Sequence, residues 1–457
     1  MAAAGAPREA ARGDAKSAWN IAEGNMEDPE EERVILCALD SFAQYPKVAH
    51  FNVTHLRRRS FYALPQAHWK MLAAPPFSFL ETLDRADRAI DSNAELADAI
   101  VAHSLQALSP LAAVSHSHPP GGPAMPPQWA GVAKHADVDK ARSTIRQFYR
   151  DWTALDSLPC VICARSDARL MAKGDGNKTK PMHLLNPKHH AENQMRRVCG
   201  VKHLELTLRF VVGAWREILK VCSQFVLGRL VFELCRRGHE AEGNEISYHQ
   251  LLASSHILNG CDRAGRYTVY PWVHTFSNHV TRENHLRGYP VPDVHPATEL
   301  ARSPTPVGSM SMCAADFLCL YADDSHAGAY DAVASLFFLD TAPNLIRYLE
   351  VIYHCLRPGG ILVNVGPLLW HFENQAPGNH GHDDDGDGEH DFNSSSGIAD
   401  PGSFELSHDE VMALLGKLGF EVEWAQTDVE APYIQDGQSM LQTVYKAATW
   451  LARKPER

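Results

Sequence analysis

No run of this 457-residue sequence approaches the roughly 18 consecutive apolar residues that a membrane-spanning helix needs. No membrane partner is therefore expected. Basic charge is in deficit, with 43 Lys and Arg against 55 Asp and Glu and a net charge of -12. Phosphate binding calls for a basic surface, so no nucleic-acid partner is expected either. The start, MAAAGAPREAARGDAKSA, lacks the apolar core of a secretory signal. Ten cysteines are scattered without a disulfide framework, which points to a reduced compartment, the cytoplasm with the nucleus also open. The sequence also lacks the G-x-G-x-x-G fingerprint of a dinucleotide-binding turn, which disfavours a dehydrogenase.

What is present is ordinary globular composition, 45% apolar and 21% charged, long enough for two domains. Residues 1–28 are small and polar and are expected to be a disordered tail. Residues 29–155 read as a helical N-terminal region. In EEERVILCALDSFAQY, Val34, Ile35, Ala38, Leu39 and Phe42 recur at helical spacing, and Asp28-Pro29 suits a helix start. SFLETLDRADRAIDSNAELADAIVAHSLQAL repeats the pattern. After the linker SHSHPPGGPAMPPQWAG, VDKARSTIRQFYRDWTAL predicts a helix from about Asp137. Residues 156–214 show no clear periodicity and read as irregular.

From about 215 to 455 strands and helices alternate, the pattern of an α/β, doubly wound, Rossmann-like sheet. EILKVC, HEAEGNE, SMSMCAADF, the apolar run DAVASLFFLD, ILVNVG, FEVEWAQT and QTVYKAATWLARK are the expected strands. TAPNLIRYLEVIYHCLRPGG is a helix that stops before Pro358-Gly359-Gly360, and FELSHDEVMALLGKLGF opens with a Ser407/Glu410 capping box. Ligands in such sheets sit beyond the carboxyl ends of the strands. Acids there are informative: Glu245 closes strand two, Asp316, followed by Phe317, closes strand three, and Asp340 closes strand four. A ribose-binding carboxylate belongs at the position of Glu245, and a carboxylate beside an aromatic suits an adenine. Each acid alone reads equally well as a helix cap or a solvated loop residue.

This layout, with LRPGG before the fifth strand, resembles a class I S-adenosylmethionine-dependent methyltransferase. More specific stretches are RSTIRQFYRDW, YTVYPWVHTFSNHV, PDVHP, FFLDTAPN and GPLLWHFEN. Together they resemble the carnosine N-methyltransferase family, also called N2227-like. The resemblance implies an S-adenosyl-L-methionine cofactor and a small histidine-containing dipeptide as substrate, with a homodimer left open. It implies cofactor contacts from Gln147, Arg150, Gln224, Gly228, Glu245, Asp316 and Phe317. It implies substrate contacts from Asp340, the catalytic acid, and from His371, Tyr433 and Tyr445. Read without the family, Gln147 and Arg150 share a helix face and suit a surface ion pair. His371 suits a packed core histidine, and Tyr445 a packed strand residue.

One stretch departs from the family. A loop like VPGAGLGRL is usual after the first strand; here CSQFVLGRL places Gln224 and Val226 where glycines are expected and keeps only Gly228. A β-branched residue is poorly suited to close backbone approach or positive φ. An impaired chain of the same fold, acting as a binding or scaffold protein, is the alternative this raises. A methyltransferase for a protein histidine or another small amine is a further one. Cys160-x-x-Cys163 with His189 and His190 lacks a second CxxC, so no metal is expected. The acidic, His-rich stretch HGHDDDGDGEHD, within 376–401, reads as a mobile insertion rather than a calcium loop.

Overall fold

The computed structural model describes residues 29–108, 129–153, 220–224, 227–304, 306–373, 404–433 and 436–456. The tail 1–28, the segment 156–214 with its Cys160/Cys163 pair, Val226 and the insertion 376–401 lie outside the described residues, so those readings go no further here.

The apolar spacing of the N-terminal region produces helices α1 (Pro29–Ala49), α2 (Leu56–Tyr62), α3 (Gln66–Ala73), α4 (Phe79–Ala107) and α5 (His135–Trp152). A six-residue π-helical turn, His50–His55, joins α1 to α2. Helix α5 starts two residues earlier than its periodicity predicts, because the Asp137 carboxylate accepts the Lys134 amide at 3.0 Å and anchors the first turn. Ile35, Leu39 and Phe42 of α1, Ile90 and Ile100 of α4, and Ile145, Phe148 and Trp152 of α5 are buried in one cluster. That cluster also contains Phe232, Leu252 and Ile257 of the α/β part. The N-terminal helices therefore share a core with the sheet region, and α5 is fixed against it.

The main sheet has seven strands: β1 (Lys220–Gln224), β2 (Glu240–Glu245), β5 (Met310–Ala314), β6 (Tyr330–Leu336), β7 (Leu356–Gly366), β8 (Glu421–Pro432) and β9 (Val444–Arg453). Their spatial order is β5-β2-β1-β6-β7-β9-β8. The first five strands in that order run parallel, while β9 is antiparallel to both β7 and β8. Strand order reverses between β1 and β6, which creates the crevice where doubly wound sheets take ligands. Helices α6 (Arg229–Arg236), α7 (Tyr248–Ser255), α8 (Arg282–His285), α9 (Pro296–Ala301), α10 (Phe317–Tyr321), α11 (Leu345–Cys355) and α12 (His408–Lys417) make the connections. Alternate residues of the inner strands feed opposite faces: Val333, Leu362 and Trp450 enter one core, Ala332, Ala334, Ile361 and Val363 the other. Among the described residues no helix is long and apolar enough to cross a membrane.

Four details differ from expectation. A short antiparallel pair, β3 (Tyr267–Val269) and β4 (Tyr289–Val291), goes unpredicted because three residues carry no periodicity. Among the described residues the first strand is Lys220–Gln224, running two residues past the end of EILKVC. The LRPGG stretch lies within the bounds of β7 rather than closing the preceding helix, which ends at Cys355. Finally, DAVASLFFLD is not one strand. It leaves the sheet after Leu336, where Phe337 adopts φ 55° and donates its amide to Val365 O at 2.8 Å. Asp340 consequently lies in a 3₁₀ turn, Leu339–Thr341, beyond the strand end.

Candidate active site

The predicted cofactor residues gather at the ends of β1 and β2 and on the last turns of α5. Gly228 caps α6 with φ 69°, and a Cβ there would lie 2.6 Å from Leu258 Cδ1. Its conformation calls for glycine, while the Leu258 side-chain end would have to shift to admit a Cβ. Gln224 ends β1 in register with Asn244 and Ser335 of the flanking strands. Glu245 ends β2 and is only 6% exposed. Its Oε1 accepts the Ser247 amide at 2.8 Å. Burial pushes its carboxyl up to about 7, against the opposing pull of backbone amides and the nearby Arg150 cation.

Gln147 is buried, and among the described residues its Oε1 has no hydrogen-bond partner. Burial excludes the surface ion pair with Arg150 as a reading. Arg150 instead binds the neighbouring Asp151 carboxylate through Nε at 2.6 Å and Nη2 at 2.9 Å. Asp316 lies two residues past β5 and takes the capping role. Its Oδ1 accepts the amides of Leu318 at 2.9 Å and Cys319 at 3.0 Å. Phe317 packs against Tyr348 at 5.3 Å and Phe338 at 5.6 Å between ring centroids.

The predicted substrate residues gather at the ends of β6, β7 and β8 and the start of β9. Asp340 is 3% exposed, and its Oδ2 accepts the Leu369 amide at 3.0 Å. Its main-chain oxygen accepts the His371 amide, also at 3.0 Å. The GPLLWH segment is thus wrapped onto the Asp340 turn. Burial raises the Asp340 carboxyl above its ordinary value, and the hydrogen bond from the Leu369 amide opposes that rise. His371 is exposed, so it is not a packed core histidine. Tyr433 and Tyr445 face one another with centroids 6.2 Å apart, each 6.4 Å from the Phe337 ring.

Phe337 is the member that sequence reasoning missed. It sits in a run that reads as buried strand, and a positive φ leaves no mark on hydrophobic patterning. The glycine of GPLLW is the available signal: a Cβ on Gly366 would lie 3.2 Å from Phe337 Cα, so the backbones approach closely.

Helix α5 carries both Arg150, whose charge acts on Glu245, and Arg146, one turn earlier, whose guanidinium is pulled below its ordinary range by burial. A cavity of about 860 Å³ elsewhere, lined by Lys47, His50, Phe51, His55 and Arg58, holds none of the predicted site residues. Two of its basic groups are paired, His50 with Asp87 and Asp91, and Arg58 with Asp84 and Asp87. Among the described residues no group of three or more His, Cys, Asp or Glu is arranged to hold a metal ion.

Glu245 and Gln147 are thus buried acceptors suited to hydroxyl and amine donors, and Asp340 is a further buried carboxylate on the turn that follows Phe337. The sequence profile described as carnosine N-methyltransferase matches residues 218–456. A carnosine N-methyltransferase of Schizosaccharomyces pombe is 30% identical over 430 residues, covering 93% of this chain and 97% of that one. One of Mus musculus is 29% identical over 446 residues, covering 97% of this chain and 92% of that one. Among solved structures, a SAM-dependent methyltransferase from Methanosarcina mazei is 11% identical with TM-score 0.31, covering 54% of this chain and 98% of that one.

Proposed function

The chain belongs to the carnosine N-methyltransferase family, and from that membership we propose that it moves a methyl group from S-adenosyl-L-methionine to an imidazole nitrogen of carnosine or a related histidine-containing peptide. The observation that carries this reading is the buried Asp340 carboxylate, tied to the GPLLWH segment on the turn that follows Phe337; Phe337 in turn packs near the Tyr433 and Tyr445 rings.

The cofactor reading stands on two observations at the other end of the site. Glu245 is a buried carboxyl whose ionised form lacks enough donors, and Gln147 Oε1 is a buried acceptor with none among the described residues. Hydroxyls of a ribose and the ammonium of the methionine part are donors of the kind these atoms lack. Glu245, Gln147, Arg150, Gln224 and Gly228 would hold the cofactor, with Asp316 and Phe317 beside its base. When bound, it supplies an activated methyl group on a sulfonium.

The chain's own residues then have three tasks. Asp340 accepts the N–H of the far imidazole nitrogen, which selects one tautomer and leaves the other nitrogen's lone pair facing the methyl. The aromatic trio and His371 hold the rest of the dipeptide and exclude water. Alignment of this kind supplies several kcal/mol of the barrier, at most about 11. As the new N–C bond forms and the ring becomes cationic, the Asp340 carboxylate offsets the developing charge. Neutral imidazole, with a pKa of roughly 6.5, is already a nucleophile, so no strong base is required. The product ring afterwards releases its proton to solvent.

Thermal unfolding in rising S-adenosylmethionine, followed by turnover with carnosine, tests the reading. A ligand at 100 times its Kd stabilises by about 2.7 kcal/mol. The expected result is a saturable rise in Tm and methylated carnosine. A rise without turnover on carnosine points to another amine or a protein histidine, and no rise supports the scaffold alternative.

A further inference from the structure

Asp151, adjacent to Arg150, is an enclosed carboxylate, its side chain 2% exposed. Its two oxygens serve two different parts of the molecule. Oδ1 accepts Nε of Arg150 at 2.6 Å, and Oδ2 accepts Nη2 of Arg150 at 2.9 Å. The same Oδ2 accepts the amide of Leu227 at 3.3 Å. The Asp151 main-chain oxygen accepts Arg229 Nη1 at 3.1 Å, and the indole N–H of Trp152 donates to Leu227 O at 2.9 Å. Arg229 is itself fixed by Asp293, at 2.6 and 3.1 Å. Both backbone groups of Leu227, the residue before Gly228, are thus bound by the last two residues of α5.

Two consequences follow from these contacts. In doubly wound sheets the turn after the first strand is where backbone approaches the ligand. Here, Gly228 is the glycine that remains at that turn, and the residue before it is held from outside by α5. The second consequence concerns Arg150. An unrestrained arginine loses rotamer freedom when it binds, whereas one already paired at two nitrogens has lost it beforehand. Asp151 also reduces the net charge an anion meets. Orientation outweighs this, because a guanidinium–carboxylate contact is directional.

We infer that Asp151 is a positioning residue for the cofactor: one carboxylate sets both the orientation of Arg150 and the placement of Leu227, so that the guanidinium for the cofactor's carboxylate and the turn for its nucleoside are in register before binding. The inference rests on the S-adenosylmethionine reading above.

The test uses the full chain and two probes. S-adenosylhomocysteine carries the amino-acid carboxylate, and 5′-methylthioadenosine lacks it. Asp151→Asn keeps an acceptor for the Leu227 amide but loses the charge that fixes Arg150; Asp151→Ala loses both. Calorimetric titration gives Kd for each probe, with thermal unfolding as the control for folding. Asp151→Asn is expected to weaken S-adenosylhomocysteine by about tenfold and to leave methylthioadenosine unchanged. Asp151→Ala is expected to weaken both. Unchanged or tighter S-adenosylhomocysteine binding by the Asn variant overturns the inference, as does an equal loss for both probes in that variant. Should Asp151→Ala not fold, the Asn variant decides alone. A parent protein that binds neither probe would instead overturn the cofactor reading itself.

Discussion

Replacing Glu245 by Gln separates what the fold pays from what the site gains. The Glu245 carboxyl is raised from 4.5 to about 7, chiefly by burial. At about 1.4 kcal/mol per pH unit, holding it ionised in the folded protein costs on the order of 3 kcal/mol. Between pH 4.5 and about 7 the folded chain binds this proton more tightly than the unfolded chain does. Stability from this group is therefore full below pH 4.5 and is lost as pH rises through about 7. Glutamine does not titrate, and its side-chain oxygen can still accept the Ser247 amide. The absolute Tm of the variant depends on where its new N–H₂ finds acceptors, but the difference from the parent has a defined pH course. It should shift in the variant's favour from pH 5 to pH 8 by on the order of 5 °C for a chain this long. The same substitution should abolish most of the Tm rise caused by S-adenosylmethionine, since the ionised acceptor is lost. In the parent, cofactor affinity should strengthen as pH rises through 7. A Tm difference that is constant from pH 5 to pH 8, measured by calorimetry, refutes the reasoning.

Three further substitutions probe separate parts of the site. Asp340→Asn should lower turnover on carnosine by about 100-fold or more with S-adenosylmethionine affinity unchanged; equal loss of cofactor binding in titrations contradicts its assigned role. Gly228→Ala forces φ 69° on a residue with a Cβ placed 2.6 Å from Leu258 Cδ1. It should cost about 1–3 kcal/mol, read as a lower urea midpoint, and a variant as stable as the parent counts against the geometry of that turn. Gly366→Ala places a Cβ 3.2 Å from Phe337 Cα, so it should displace the aromatic trio. KM for carnosine should rise while KM for S-adenosylmethionine stays constant, and the reverse pattern would show that the trio does not meet the dipeptide.

Periodicity exposed the long elements well. The spacing of Ile35, Leu39 and Phe42 marks the buried face of α1, and strand–helix alternation from 215 onward gives the parallel sheet. Glu245 was singled out as an acid at a strand end, but its burial there was not legible from that position alone. Asp340 was singled out as a strand-end acid, but its setting in a turn was not legible, since FFLD reads as more strand. Only backbone conformation, φ 55° at Phe337, turns the chain out of the sheet. Asp151 was not legible at all. Adjacent to Arg150 in sequence, it looks like one half of a charged surface pair; its burial and its bond to Leu227 depend on α5 docking near the first strand, a contact between residues 76 apart. The short β3–β4 pair escaped for a related reason: its three-residue strands are defined by pairing across 20 residues and not by local pattern.

The central claim is that one site, spanning the ends of neighbouring strands, presents an imidazole nitrogen to an activated methyl group. Tandem mass spectrometry of carnosine after incubation with S-adenosylmethionine and the full chain locates the transferred methyl. The account predicts a single product methylated on the imidazole ring, formed by the parent and nearly absent with Asp340→Asn. A methyl group on the β-alanyl amine, or equal ring methylation by parent and Asp340→Asn, would contradict it.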